Sequence, residues 1–232
     1  MKGFFNRILK INVEEQSFSI QELSDHDLEE GLGGKGLATR LLLENNPPGV
    51  APFLPENNLI IALGPITDSP IHGSCRHGIY TKSPQTGLYA ESYSGGKAAE
   101  SISRTGYDAL IIQGISKEPV FLEISDETVR FHPGQDLWGL DTYATEDAVL
   151  KRIGKKRIGQ AADRAAALVI GPAGENLIRF SVIENDYWRS AGRTGTGAVM
   201  GSKKIKAMCF YGNRGMGTLL TIKLDEWHVI DW

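Results

Sequence analysis

One pattern occurs twice in this chain and limits what it can fold into. Leu59 to Pro65 reads LIIALGP and Ala166 to Pro172 reads AALVIGP, about 107 positions apart. Each is a continuous apolar run closed by Gly-Pro, the mark of a strand buried on both faces and stopped sharply. Each is followed by an irregular stretch with an arginine among small residues, Arg76 in GSCRHG and Arg193 in AGRTG. The expectation is a pseudo-symmetric pair of units, pairing Arg76 with Arg193 and suited to a ligand with two similar halves.

Glycine supports that reading. The 232 residues include 27 glycines, clustered at 31–36, 73–78, 94–96, 192–201 and 212–217. Clustered glycine marks backbone that turns with positive φ or approaches something closely. Many tight turns would explain some of it; five clusters point to a ligand cradle.

Between the clusters the hydrophobic pattern assigns elements. Phe5–Val13 and Ser17–Leu23 alternate as a hairpin, and Ser24 with Asp25 and Asp27 begins a helix that stops at Gly31. A short helix is expected from Leu37 to Glu44, after GLGGKG, and strands at 59–63, 79–82, 88–93, 109–113, 120–124, 129–132 and 166–170. Helices are expected at 95–106, at 142–153 with Ala144, Ala148, Val149 and Ile153 on one side, and from Ala198. Leu219–Leu224 alternates as one further strand.

Charge and cysteine content exclude several classes. Lys plus Arg total 25 against 28 for Asp plus Glu, so no excess of positive charge predicts nucleic acid or an anionic membrane as partner. The two cysteines, Cys75 and Cys209, are too few for a zinc site or an iron–sulfur cluster held by this chain. The N-terminus has no apolar run of signal-peptide length and nothing approaches a membrane span, so the expected compartment is the cytoplasm.

The chemistry concentrates in Glu184–Lys206, ENDYWRSAGRTGTGAVMGSKKIK. Glycine-rich backbone entering a helix presents free N–H groups, and Arg189 and Arg193 add bidentate, charge-assisted contacts suited to phosphate. The stretch is no phosphate loop of the Gly-Lys-Ser/Thr kind, because Ser202 follows Gly201, and its glycine spacing is wrong for a dinucleotide fingerprint. Gly73–Lys82, with Arg76, and Ser92–Gly96 form a second anion-friendly stretch.

The order of motifs resembles one family. Gly33–Leu37 (GGKGL), Pro55-Glu56-Asn57 before LIIALGP, and Arg76 followed by Thr81-Lys82-Ser83-Pro84 come first. Ser94-Gly95-Gly96, Gly106-Tyr107-Asp108-Ala109 and Gly171–Asn176 (GPAGEN) continue the series. Asn185-Asp186, Arg189, Ala191-Gly192-Arg193 and Gly197–Lys203 complete it. Together they resemble the N-terminal domain of the tungsten-containing aldehyde:ferredoxin oxidoreductase family, over residues 1–211, with 212–232 a divergent C-terminal tail.

The resemblance implies an α+β fold of two β-sheets, built from intertwined pseudo-symmetric repeats with packed helices. It implies a tungsten or molybdenum bis-pterin cofactor, with magnesium bridging its phosphates. Carried over position by position, Arg76, Tyr93, Gly95, Gly96, Arg189, Ala191, Gly192 and Arg193 are the cofactor-binding residues, and the backbone carbonyls of Tyr93 and Ala191 are the magnesium ligands. Position 93 departs from the family's Asn, which a backbone contact survives and a side-chain amide contact does not.

In the family, the iron–sulfur cysteines and the acid/base residues lie in later domains, so no catalytic residue is assigned here. The implied partners are those domains or a separate subunit, ferredoxin indirectly, and a second copy in a homo-oligomer. The implied reaction takes an aldehyde to a carboxylate, with this domain inactive alone. The alternative is a non-catalytic module for a pterin or another phosphorylated ligand.

The isolated candidates have plainer readings. Cys75 reads as a small buried hydrophobe, His72 and His77 as loop histidines, and Trp188 as a loop anchor or a surface along a pterin ring. Lys203-Lys204-Ile205-Lys206 reads as a solvated helix end, and Lys151–Arg157 as a solvated loop.

Overall fold

The structure is a computed structural model that describes residues 3–158 and 163–214. Its first sheet uses β1 (Arg7–Asn12), β2 (Ser17–Glu22), β3 (Leu59–Leu63), β4 (His77–Lys82), β5 (Tyr89–Ser94) and β6 (Ala109–Gln113). Their order is β2-β1-β6-β3-β4-β5, with β1 and β6 parallel and every other pair antiparallel. The second sheet uses β7 (Val120–Ile124), β8 (Val129–Pro133), β9 (Ala166–Val169), β10 (Ile183–Asn185), β11 (Arg189–Ala191) and β12 (Ile205–Phe210).

Read from its other edge, the second sheet runs β8-β7-β12-β9-β10-β11, which is the first order strand for strand. Again the pair β7–β12 is parallel and the others are antiparallel. The recurrence of LIIALGP and AALVIGP is therefore a true repeat: β3 and β9 are equivalent strands. The arginines do not match in the same way. Arg76 precedes β4, the fourth strand of its half, whereas Arg193 follows β11, the fifth strand of its own.

The continuous apolar runs are buried on both faces, as parallel or central strands require. Leu59, Ile61 and Leu63 point into a layer between the sheets, while Ile60 and Ala62 point outward under helices. The outer helices on the first sheet are α1 (Asp25–Gly31) and α2 (Gly34–Asn45). Ser24 caps α1 through a reciprocal pair of bonds with Asp27. The outer helix on the second sheet is α4 (Thr142–Arg152), and a single turn, α5 (Pro172–Glu175), follows β9.

Two short helices fill the middle layer: α3 (Lys97–Ser103) follows β5, and α6 (Thr196–Ser202) follows β11. They cross between the sheets. α3, from the first half, packs on β9 and β12 of the second sheet, and α6 packs on β3 and β4 of the first as well as on β10 and β12 of its own. Ala98, Ala99 and Ile102 of α3 share one core with Val199 and Met200 of α6 and with both sheets. This is how the repeats intertwine.

Several local expectations change. α2 begins at Gly34, inside the glycine cluster, because a Cβ on Gly36 would lie 2.1 Å from the carbonyl oxygen of Gly31. Glycine there permits close contact between α1 and α2. α3 covers only Lys97–Ser103 of the expected 95–106. α4 buries Thr145, Glu146, Val149 and Leu150 and leaves Ala144 exposed. Lys203 and Lys206 are wholly buried, so that run is not a solvated helix end. The alternating run at 219–224 lies outside the described residues.

Candidate functional site

The halves abut at β5 and β11, and each half reaches into the glycine turn of the other. In the first half that turn is Gly95-Gly96, between β5 and α3. The Asp186 carboxylate, from the β10–β11 turn, accepts the Lys97 N–H at 2.6 Å and so caps α3. Gly96 has φ +92, and a Cβ there would lie 2.4 Å from the Asp186 carboxylate and 2.8 Å from the Asn185 amide oxygen. In the second half the turn is Gly192–Gly195, between β11 and α6. The Ser83 hydroxyl, from the β4–β5 turn, donates to the Thr194 carbonyl at 2.8 Å. Pro84 lies beside Gly195, whose φ is +78 and whose Cβ position is 2.0 Å from the Arg179 carbonyl oxygen.

Buried side chains between the turns complete the joint. The Ser92 hydroxyl accepts the Arg193 N–H at 3.0 Å, and the Asn185 amide donates to the Ser94 hydroxyl at 3.0 Å. The amide oxygen of Asn185 and both ring nitrogens of His77 have no hydrogen-bond partner among the described residues. His77 is thus no loop histidine. It opens β4 opposite Ser94, and burial, with help from the adjacent Arg76 charge, lowers its pKa to about 4.

The eight residues picked from the sequence all fall at this joint. The Arg76 side chain lies against the Gly95 Cβ position, at 3.8 Å from its Nε. Arg189 and Ala191 bound β11, and the Arg189 side chain comes within 3.2 Å of the Gly96 Cβ position. Gly192 and Arg193 are exposed just beyond. The Tyr93 side chain turns to the other face, its ring edge-on to Tyr80 with centroids 6.0 Å apart. The carbonyl of buried Ala191 accepts the Thr196 hydroxyl at 3.2 Å.

Three features suit the joint chemically to an anion. Arg76, Arg189 and Arg193 form no ion pair among the described residues. The N–H groups of Gly95, Gly96, Gly192, Thr194 and Gly195 likewise have no acceptor among them. A cleft of about 640 Å³ adjoins the first turn, lined by Cys75, Gly96, Lys97, Asp186, Trp188 and Arg189 among others. No cluster of His, Cys, Asp or Glu able to hold a metal occurs among the described residues.

The anchor of the β10–β11 turn was not visible in the sequence. Trp188 is 69% exposed, its ring tilted against that of Tyr187 with centroids 5.8 Å apart. Tyr187 does the work: its N–H donates to buried Glu146 at 3.0 Å, and its hydroxyl donates to Asp147 at 2.7 Å. Arg157 pairs with Glu146 at 3.0 Å and lies 3.5 Å from the Tyr187 ring centroid, so this end of the basic run is no solvated loop. Burial raises the Glu146 pKa despite these partners.

Comparison with known proteins agrees with this geometry. Residues 8–212 match the family described as aldehyde ferredoxin oxidoreductase, N-terminal domain. The tungsten-containing aldehyde ferredoxin oxidoreductase of Thermococcus kodakarensis is 39% identical over 92% of this chain and 34% of its own length. The WOR-like subunit of an aliphatic sulfonate oxidoreductase from Pyrococcus furiosus is 30% identical over 92% of this chain and 35% of its own. A solved structure, the active site complex BamBC of benzoyl coenzyme A reductase with 1,5-dienoyl-CoA, superposes with a TM-score of 0.86 at 34% identity. It covers 92% of this chain and 32% of that one. The chain spans about a third of the length of the curated relatives it matches. With its two six-stranded sheets and most of its length matched, the chain belongs to the aldehyde ferredoxin oxidoreductase N-terminal domain family.

Proposed function

We propose that the β5–β11 joint holds the phosphates of a tungsten (or molybdenum) bis-pterin, and that residues 1–211 are the cofactor-binding domain of an aldehyde ferredoxin oxidoreductase-like enzyme. The observation that carries this is the set of unpaired guanidiniums, Arg76, Arg189 and Arg193, around two symmetry-related glycine turns with free N–H groups. Such donors fit a doubly phosphorylated, two-fold ligand and give its anionic groups charge-assisted bonds. The cofactor, when bound, supplies the redox chemistry. The chain supplies binding, orientation and charge compensation.

Within that reading Arg76 and Arg189 act on the first turn and Arg193 on the second. The carbonyls of Tyr93 and Ala191, on adjoining strands, are the candidate magnesium ligands; that of Ala191 keeps a second lone pair beside its bond to Thr196. Aldehyde oxidation, transfer of electrons to an iron–sulfur centre and contact with ferredoxin belong to later domains or a separate subunit. The relatives' names cover aldehydes, an aliphatic sulfonate and an aromatic thioester, which supports placing substrate choice outside this domain.

The test is metal and phosphorus content of the assembled enzyme by mass spectrometry. Arg193→Ala is expected to lower tungsten and phosphorus together at least fivefold while the far-ultraviolet spectrum stays unchanged. Undiminished metal and phosphorus would remove Arg193 from the site.

A further inference from the structure

The two hairpin turns that reach across the joint are built differently. In the β4–β5 turn the positive φ falls on a glycine, Gly87 at +71. That turn also holds itself, because the Ser83 hydroxyl accepts the N–H groups of Gln85 and Thr86, both at 3.1 Å. In the β10–β11 turn two successive residues are left-handed and neither is glycine: Asp186 at +49 and Tyr187 at +69. Aspartate tolerates that region. For a side chain as bulky as tyrosine it is a strained conformation, kept only where the surroundings over-determine it.

The surroundings of Tyr187 do so. Its N–H is bound by Glu146, its hydroxyl by Asp147 and its ring by the Arg157 guanidinium, which in turn pairs with both carboxylates, at 3.0 and 2.9 Å. Glu146 is wholly buried, with one oxygen on Arg157 and the other on Tyr187. This polar cluster lies apart from the buried apolar clusters, none of which includes Tyr187. What the strained residue fixes is its neighbours. Asp186 accepts the Lys97 N–H below Gly96, and Arg189 brings its side chain within 3.2 Å of the Gly96 Cβ position. The Trp188 N–H donates to the Asp186 carbonyl at 2.9 Å, which closes the turn between them.

We propose that Tyr187, held by Glu146 and Arg157, is a positioning residue that presets the first glycine turn for its anion by fixing Asp186 and Arg189 around Gly96. The proposal rests on the anion reading of the joint and makes its two turns unequal. The first is set by a strained tyrosine and a buried carboxylate. The second is set by Ser83, from a turn that carries no such strain.

Titration calorimetry with inorganic pyrophosphate on the 232-residue chain, together with the proton shift of the Lys97 amide, tests this. Tyr187→Gly removes the tether and the strain at once. It is expected to weaken pyrophosphate binding at least fivefold and to move the Lys97 amide proton upfield as its bond to Asp186 lengthens. The urea midpoint is expected to hold, because glycine is at ease at φ +69. Tyr187→Phe keeps the N–H and the ring and loses only the hydroxyl, so it is expected to bind within twofold of the unsubstituted chain. The Thr194 and Gly195 amides stay in place in both variants. Undiminished binding by Tyr187→Gly, or an unmoved Lys97 amide, would overturn the proposal and leave the anion reading standing. So would equal losses in the two variants, or a collapsed urea midpoint in Tyr187→Gly, which would make the tyrosine a support for the fold alone. No binding by the unsubstituted chain would overturn the anion reading, and this proposal with it.

Discussion

Where the first half enters its last strand, the Asp108 carboxylate accepts the N–H groups of Phe5 and Arg7, at 3.0 and 3.2 Å. At the same place in the second half the residue is Lys204, which donates to the Lys117 carbonyl. Beside it, buried Lys203 donates to the carbonyls of Pro55 and Gly114, at 3.3 and 3.2 Å. Both joints tie the start of the sixth strand to the segment leading into the first. One does it with an acceptor for N–H groups, the other with donors for carbonyls. The repeat therefore conserves the satisfied backbone and leaves the sign of the charge free. The outer faces differ similarly: both pack through apolar clusters, but the second adds the buried Lys206–Glu175 and Arg157–Glu146 pairs, whereas the Arg40–Asp27 pair of α1 and α2 stays part-exposed.

The sharpest way to break the equivalence is at the two glycine turns. Gly195→Ala pushes a methyl onto backbone, the Arg179 carbonyl, and is expected to cost more than about 4 kcal/mol. Gly96→Ala meets only side chains of Asn185, Asp186 and Arg189, which can move, and is expected to cost about 2 kcal/mol, mostly strain at φ +92. Urea melts of the two variants rank them, and equal losses would mean that the turns are supported alike.

The oppositely charged joints predict a stability profile with two limbs. Burial outweighs the N–H bonds at Asp108 and raises its pKa to about 6. The folded state then holds that proton more tightly than the unfolded chain, so stability falls as pH rises from about 4 to 6, by about 3 kcal/mol. Burial lowers the Lys203 pKa to about 7, so the unfolded chain binds the extra proton and stability rises from pH 7 toward 10 by about 4 kcal/mol. Asp108→Asn is expected to flatten the acid limb alone and Lys203→Met the alkaline limb alone, in urea melts across that range. A variant that flattens both limbs, or neither, would refute the assignment.

The smallest effect probes the polar outer face. Glu146→Gln keeps the shape but removes the charge that Arg157 and the Tyr187 N–H share, at an expected cost of about 2 kcal/mol. Its local signature would be faster amide exchange at Tyr187 and Lys97, with β1 and β2 unaffected.

How far the sequence could be read follows the same division. Strands of unbroken apolar residues, such as 59–63, were fully legible, and so was the α1 cap, because Ser24 and Asp27 act within one turn. The candidate site was legible as motifs, since arginines and paired glycines show themselves as residue types; its role stays a proposal. What stayed hidden depended on partners far along the chain. Glu146 reads as a surface residue until Arg157 and Tyr187 are placed around it, and that choice set the wrong face for α4. Lys203 reads as solvated until the carbonyls of Pro55 and Gly114 close over it. The glycines at 34 and 36 argued against a helix on propensity, while the packing of α1 on α2 needed one.

The crossing of α3 and α6 between the sheets bears on ancestry and on assembly alike. A chain of half this length, laid out like the first half, would set its α3 on the sheet of a second copy. Two such copies, each lending the other its helix, form a swapped homodimer, and residues 114–119 are the short bridge that makes the pair one polypeptide. Cutting that bridge should leave two fragments that are unfolded apart and fold on mixing.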